Sequence, residues 1–176
     1  MTASTHRPSP LNPWRILGWG TIAALIALPA IAMQFTGEVN WTPGDFVFAT
    51  VMLGGVGIAF ELAVRASGSR AYRGAAAIAL MAGLTILWVN GAVGIVGDEG
   101  NPLTSWFDLI PLVALAGAIG ARFRARHMAT AMFATAAAQL VVGAVVQFHG
   151  EFAWIATVAW MSLWVASGSL FLKASR

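Results

Sequence analysis

Arg73-Gly-Ala-Ala-Ala-Ile-Ala-Leu-Met-Ala-Gly-Leu-Thr-Ile-Leu-Trp-Val-Asn-Gly-Ala-Val-Gly-Ile-Val96 is the stretch that decides the class of this chain. After Arg73 it contains no ionisable side chain. A bilayer-crossing helix needs roughly 20 mostly apolar residues, and this run supplies them. Five further runs of the same kind flank it, at Trp14–Phe35, Phe46–Ala66, Trp106–Ala121, Met128–Phe148 and Phe152–Leu172. The run at Trp106 is the shortest and carries Asp108 and Pro111 near its start. Proline is tolerated in a first helical turn, where the missing N–H has no partner anyway, so it counts as a span. Apolar residues make up 59% of the 176-residue chain and charged residues 10%, against about 45–50% and about 25% in soluble domains. Mean hydropathy is +0.76. These values exclude a cytoplasmic enzyme, a secreted module and a nucleic-acid reader, in spite of a pI near 10.6. The absence of cysteine excludes disulfides, thiolate nucleophiles and Cys-ligated metals.

The basic residues test the span count, because Lys and Arg gather in cytoplasmic loops. With the N-terminus inside, Arg7 and Arg15 are inside, as are Arg65, Arg70 and Arg73, then Arg122, Arg124 and Arg126, then Lys173 and Arg176. Every Lys and Arg is accounted for. Glu38, Asp45, Asp98, Glu99, Asp108 and Glu151 fall outside or at the outer edge. Dropping one span would send basic clusters across the membrane. The expectation is an all-α polytopic membrane helix bundle of six transmembrane helices in three hairpins, both termini inside, with residues 1–13 a mobile cytoplasmic tail and 14–176 a single transmembrane domain. The bilayer is its first partner. Trp14 and Trp19 mark the inner rim and Trp41 and Trp106 the outer one, as an aromatic belt requires. Leu28-Pro29-Ala30-Ile31-Ala32 also fits an A-x-A cleavage site after an apolar run. Cleavage there would leave five spans with unchanged sidedness.

Each returning helix is expected to start with an acid beside an aromatic, at Asp45-Phe46, Phe107-Asp108 and Glu151-Phe152, and to end in basic residues. Both suit the helix macrodipole. A threefold duplication is one reading; the other is that any out-to-in helix acquires such ends.

Polar residues within the spans are few, and such residues are functional candidates. Thr50, Gly54, Gly57 and Glu61 recur on one face of the second span; Gly83, Asn90, Gly94 and Gly97 on the third; Ala136, Gln139 and Gly143 on the fifth. Helical neighbours lie three or four residues apart, so the polar groups share the small-residue faces that pack helices in lipid. Asn90 and Gln139 then read either as interhelical hydrogen bonds or, with Thr50, as a chamber ~7–15 Å below the outer edge by helical rise, beneath Asp108 and His149. Glu61 has Arg65 one turn on, the favourable order for an ion pair. The alternative is a proton-coupling carboxylate.

Asn90-Gly91-Ala92-Val93-Gly94-Ile95-Val96-Gly97-Asp98-Glu99-Gly100-Asn101-Pro102 is the least ordinary segment. Its glycines permit close approach or a helix break. Asp98, Glu99 and Asn101 offer oxygens, but too few for Ca²⁺, which takes 6–8; no metal and no cofactor is expected. The segment resembles a group of small bacterial polytopic inner-membrane proteins that carry an NGAVGI-G-E-NP-like stretch and have no established activity. That resemblance implies a multi-pass protein of the bacterial inner (plasma) membrane and transfers no catalytic residue. Gly97-Asp98-Glu99-Gly100 stands where it places an acidic loop.

His127 and His149 sit at opposite ends of one span and cannot share a haem. No Ser/His/Asp order, HExxH or phosphate-binding loop occurs. The leading reading is a non-enzymatic membrane protein, an interaction or accessory subunit of a membrane assembly, with a membrane-protein partner or a homo-oligomer and no nucleic acid. The second is a small transporter or channel with an outward-facing polar site; the third is an intramembrane enzyme acting on a lipid or quinone. The binding residues expected on either of the first two are Asn90, Asp98, Glu99, Asp108, Gln139 and His149, with Glu61 and Arg65 as the ion pair.

Sidedness is directly testable, since the chain has no native thiol. Gly100→Cys is expected to react with an impermeant maleimide in intact spheroplasts, and Ser69→Cys only after lysis. Labelling of both from outside would break the six-span reading.

Overall fold

A computed structural model describes residues 13–97 and 101–176. Asp98 and Glu99, and all but the last residue of the expected tail 1–13, lie outside the described residues. Six helices follow one another: α1 (Pro13–Ala32), α2 (Pro43–Ala66), α3 (Arg70–Val93), α4 (Ser105–Gly120), α5 (Ala125–Phe148) and α6 (Trp154–Ala174). One 3₁₀ turn, Pro102–Thr104, leads into α4. All six helices are long and apolar enough to cross a membrane, α4 when taken with its 3₁₀ turn, and no strand occurs among the described residues. The chain is an all-helical, multi-pass membrane protein.

The helix ends follow local chemistry. Before α2, the Asp45 carboxylate accepts from the Thr42 amide at 2.7 Å and the Thr42 hydroxyl at 2.8 Å, while the Asp45 amide donates back to that hydroxyl at 3.3 Å. This is a reciprocal cap of the orphan amides of a first turn. Ser69 caps α3, its hydroxyl accepting from the Tyr72 amide at 3.4 Å. Among the departures from the sequence expectation, three bear on the ring. α3 stops at Val93, not Val96, because Gly94 takes φ +75°, a conformation open to glycine and closed to a helix. α6 starts at Trp154 with no acid in its first turn, so Glu151 precedes the helix and the acid–aromatic pattern does not hold there. Pro111 is the seventh residue of α4, beyond the first turn, and its Cβ lies 3.6 Å from where a side chain on Gly83 would begin.

The chain divides into two compact units, Met1–Gly57 and Ile58–Arg176. In the first, α1 contributes no buried residue. It meets α2 where Gly57 leaves room for Ile22 and Trp19, since a Cβ there would come within 2.8 Å of Ile22 Cδ1. In the second unit α3, α4, α5 and α6 form a closed ring in which each helix packs on its two neighbours, most extensively α5 on α6 and α3 on α6. Ile86, Phe107, Ile110, Met132, Val146, Trp164 and Phe171 fill it. The ring has an acidic end, with Asp108 and Glu151, and a basic end, with Arg70, Arg73, Arg122, Arg124, Arg126 and Lys173.

Lipid gives helices no hydrophobic reason to associate, so close packing and interhelical hydrogen bonds must do it. Gly143 of α5 admits Thr157 of α6, Gly168 of α6 admits the Phe133 ring, and Gly117 of α4 admits Ala131 of α5. Ser167 of α6 donates to the Ala75 carbonyl of α3 at 2.8 Å, and Trp160 Nε1 donates to Thr85 Oγ1 at 3.0 Å. At the basic end Tyr72 stacks edge-on against Phe171, centroids 4.9 Å apart. Its hydroxyl donates to the Phe123 carbonyl at 2.9 Å, pinning a turn in which Arg122 and Phe123 have φ of 47° and 58°.

Gly143→Ala is expected to destabilise the protein by ~1–3 kcal/mol, the usual range for overpacking, because its Cβ would collide with Thr157. Gly91→Ala, whose Cβ meets nothing within 4 Å, is expected to be neutral or to stabilise by up to ~1 kcal/mol through helix propensity. Thermal unfolding in detergent reads both; equal melting of Gly143→Ala and wild type would remove the proposed contact point.

Candidate functional site: the acidic end of the ring

The last turn of α3 and the first turn of α4 bring Asn90 and Asp108 together. Asn90 Nδ2 donates to Asp108 Oδ1 at 2.7 Å and to the Thr104 carbonyl at 3.1 Å. Asp108 occupies the first turn of α4, where the positive end of the helix dipole favours a carboxylate. The Thr104 hydroxyl accepts from the Val96 amide at 3.2 Å and donates to the Val96 carbonyl at 3.3 Å. That contact satisfies both backbone groups of a residue with no exposed surface.

A second pair lies beside the first. Asn101 Oδ1 accepts from the Leu103 amide at 3.0 Å, capping the 3₁₀ turn, and its Nδ2 donates to Glu151 Oε1 at 3.0 Å. Gly97, at φ +58°, lies under this pair: a Cβ would fall 2.9 Å from Asn101 Nδ2 and 3.1 Å from Glu151 Oε2. Val96, Asn101 and Thr104, in the described part of the α3–α4 connection, are therefore tied to α3, to the start of α4 and to the segment before α6.

The expected site residues separate on this frame. Asn90 and Asp108 are bonded to each other and half-buried. His149 is exposed at the end of α5, its Nδ1 2.8 Å from the Val145 carbonyl oxygen. Gln139 is fully buried and deeper in the ring, about 13 Å from the α5 terminus by helical rise. Thr50 is exposed on the first unit. Glu61 and Arg65 lie toward the basic end, 3.2 Å apart, with Arg65 64% and Glu61 23% exposed.

Thr104, and the pairing of Asn101 with Glu151, were not read from the sequence. Asn-Pro ahead of an apolar run is a turn and cap signal, which could have placed Asn101 as a cap. Nothing in the sequence pairs it with Glu151, fifty residues away. Among the described residues no group of three or more His, Cys, Asp or Glu is placed to hold a metal ion. The arrangement joins amides to carboxylates; its chemistry is that of a rigid, hydrogen-bonded, negatively charged rim.

Removing Asn90 leaves the Asp108 carboxylate and the Thr104 carbonyl short of a donor. Asn90→Ala is expected to cost ~1–3 kcal/mol, the penalty for orphaning buried partners. Glu61→Gln should stay within ~0–1 kcal/mol, as partly exposed ion pairs do. Melting curves of the two variants side by side check the order, and the reverse order would place the more important polar contact at Glu61.

In comparison with known proteins, the chain matches no family model, no curated protein and no solved structure.

Proposed function

We propose that the protein is a non-enzymatic subunit of a bacterial inner-membrane assembly, with both termini in the cytoplasm and the acidic end facing out. The observation that carries this reading is the paired network Asn90–Asp108 and Asn101–Glu151. A loop already fastened at several points loses little conformational freedom on docking, and pre-organisation of that kind raises affinity. The carboxylates set a negative field that favours a cationic surface on a neighbouring membrane protein or on a second copy. Asp98 and Glu99, between Gly97 and Asn101 in the sequence, are further acids. The alternation of basic and acidic connections along the sequence supports the orientation, and the NGAVGI-like segment supports the bacterial inner membrane.

A second reading, a small transporter or channel, is favoured by one separate observation: Gln139, Thr157 and Trp164 are buried polar groups without partners inside the ring. The two readings differ in what survives purification. A subunit leaves mild detergent with a stoichiometric companion or as an oligomer, whereas a transporter works alone in liposomes.

Asp98→Asn/Glu99→Gln is expected to lose the retained partner on gentle extraction while expression and melting temperature stay at the wild-type level. Normal retention in that variant, together with loss of partner on neutralising Arg122, Arg124 and Arg126, would move the working surface to the basic end.

A further inference from the structure

Hydroxyls and amides inside a membrane helix normally find a carbonyl close by. Thr85, Thr130 and Thr135 each donate to the carbonyl four residues back, at 2.8, 3.3 and 2.9 Å. Ser167 reaches across to α3. Thr157 and Gln139 do neither. Both are fully buried, and neither the Thr157 hydroxyl nor either amide atom of Gln139 has a hydrogen-bond partner. Trp164, 1% exposed, has an unpartnered indole N–H, while its neighbour Trp160 is bonded to Thr85.

Helix register relates the depths of these three orphans. Two close contacts set the antiparallel register of α5 and α6: Gly143 against Thr157, and Gly168 against Phe133. In that register Gln139 stands opposite the level of Met161, between Thr157 and Trp164. At ~1.5 Å per residue it is about 6 Å along the axis from the first and about 5 Å from the second. Thr157 and Trp164 are seven residues apart on one face of α6, and the Trp164 ring reaches inward to 3.9 Å from the Gly83 position of α3. The three groups are therefore buried within the ring at neighbouring depths.

The donor inventory defines what can join them. The indole only donates, the hydroxyl does both, and the carboxamide offers two donors and an acceptor oxygen. A common ligand must accept and donate, and it must be compact. It must also be uncharged. α3, α4, α5 and α6 carry no Lys or Arg between their basic ends, so a buried anion would have no counter-charge. A hard cation would want about six oxygens, and the unpartnered side-chain oxygens here are those of Gln139 and Thr157.

We propose that Gln139, Thr157 and Trp164 form an internal hydration site in the α3–α6 ring, in which water bridges α5 and α6. A buried water makes roughly 2–4 hydrogen bonds to otherwise unsatisfied groups, which matches this set. The site stands apart from the acidic rim, and its existence does not depend on the partner reading.

The test uses the full ¹⁵N-labelled chain in detergent micelles and reads magnetisation transfer from water to side-chain N–H groups. Gln139→Met and Trp164→Phe assign the two resonances by their loss. Water cross-peaks are expected on the Gln139 amide and the Trp164 indole, with the sign of a long-lived bound water. The Trp164 cross-peak should fall by half or more in Gln139→Met, and Thr157→Val gives the same reading if that variant does not fold. The proposal is overturned by an absence of water cross-peaks on both groups in the wild type, or by a Trp164 cross-peak that neither substitution changes.

Discussion

The seating of Thr157 against Gly143 is the contact around which the described core is arranged. In hydrocarbon two helices gain nothing from hiding apolar surface, so they associate where their backbones come close enough for dense packing and interhelical hydrogen bonds. Glycine on α5 allows that approach, and it fixes the register of α6. Register in turn sets Phe133 against Gly168 and carries the Trp164 ring toward Gly83 and Pro111. It also brings Ser167 within 2.8 Å of the Ala75 carbonyl. The ring of α3 to α6 closes through these secondary contacts.

Closeness of this kind has a polar consequence. Backbone that leaves a helix near the membrane must still find partners, because lipid supplies none. After Val93 the described chain leaves the α-helix, as it does again around the 3₁₀ turn Pro102–Thr104, and side chains take over the task. Thr104 serves both backbone groups of Val96, Asn90 takes the Thr104 carbonyl, and Asn101 caps the next turn while holding Glu151. The acids at this end are thus structural as well as charged. The same hydrogen bonds that let an irregular segment exist hold the carboxylates Asp108 and Glu151 in fixed positions.

How much of this can be read from residues alone differs by level. The number of helices follows from apolar length, a property of composition that no tertiary contact alters. Their ends are less legible. Gly94 stops α3 through a single backbone angle, and a glycine in a sequence does not announce whether it will bend or continue. Glu151 precedes α6 and is held by Asn101, a pairing across fifty residues that no local pattern encodes. Asn90 and Asp108 were legible as polar groups near one membrane face, and they do meet. Gln139 was legible as a residue on a small-residue face, but its depth and lack of partners depend on which helix lies opposite. That the Thr157 hydroxyl and the Trp164 indole go unpartnered is not legible either, since a hydroxyl that fails to bond its own backbone leaves no trace in sequence.

The place of α6 in the ring bears on how the protein is made. Of the four ring helices α6 is made after the other three, yet it packs on both α5 and α3, and its Ser167 bonds a carbonyl ninety-two residues earlier. Until it enters the bilayer, Gly143 has no neighbour from α6, and Gln139 has no face of α6 to hide against. Without α6 the contacts α3–α4 and α4–α5 leave those three helices as an unclosed row, with the Gln139 amide on a face that α6 would otherwise cover. Biogenesis of the ring ends in one late closing event, and a chain interrupted before Trp154 would present that face to any insertase, chaperone or protease that surveys the membrane.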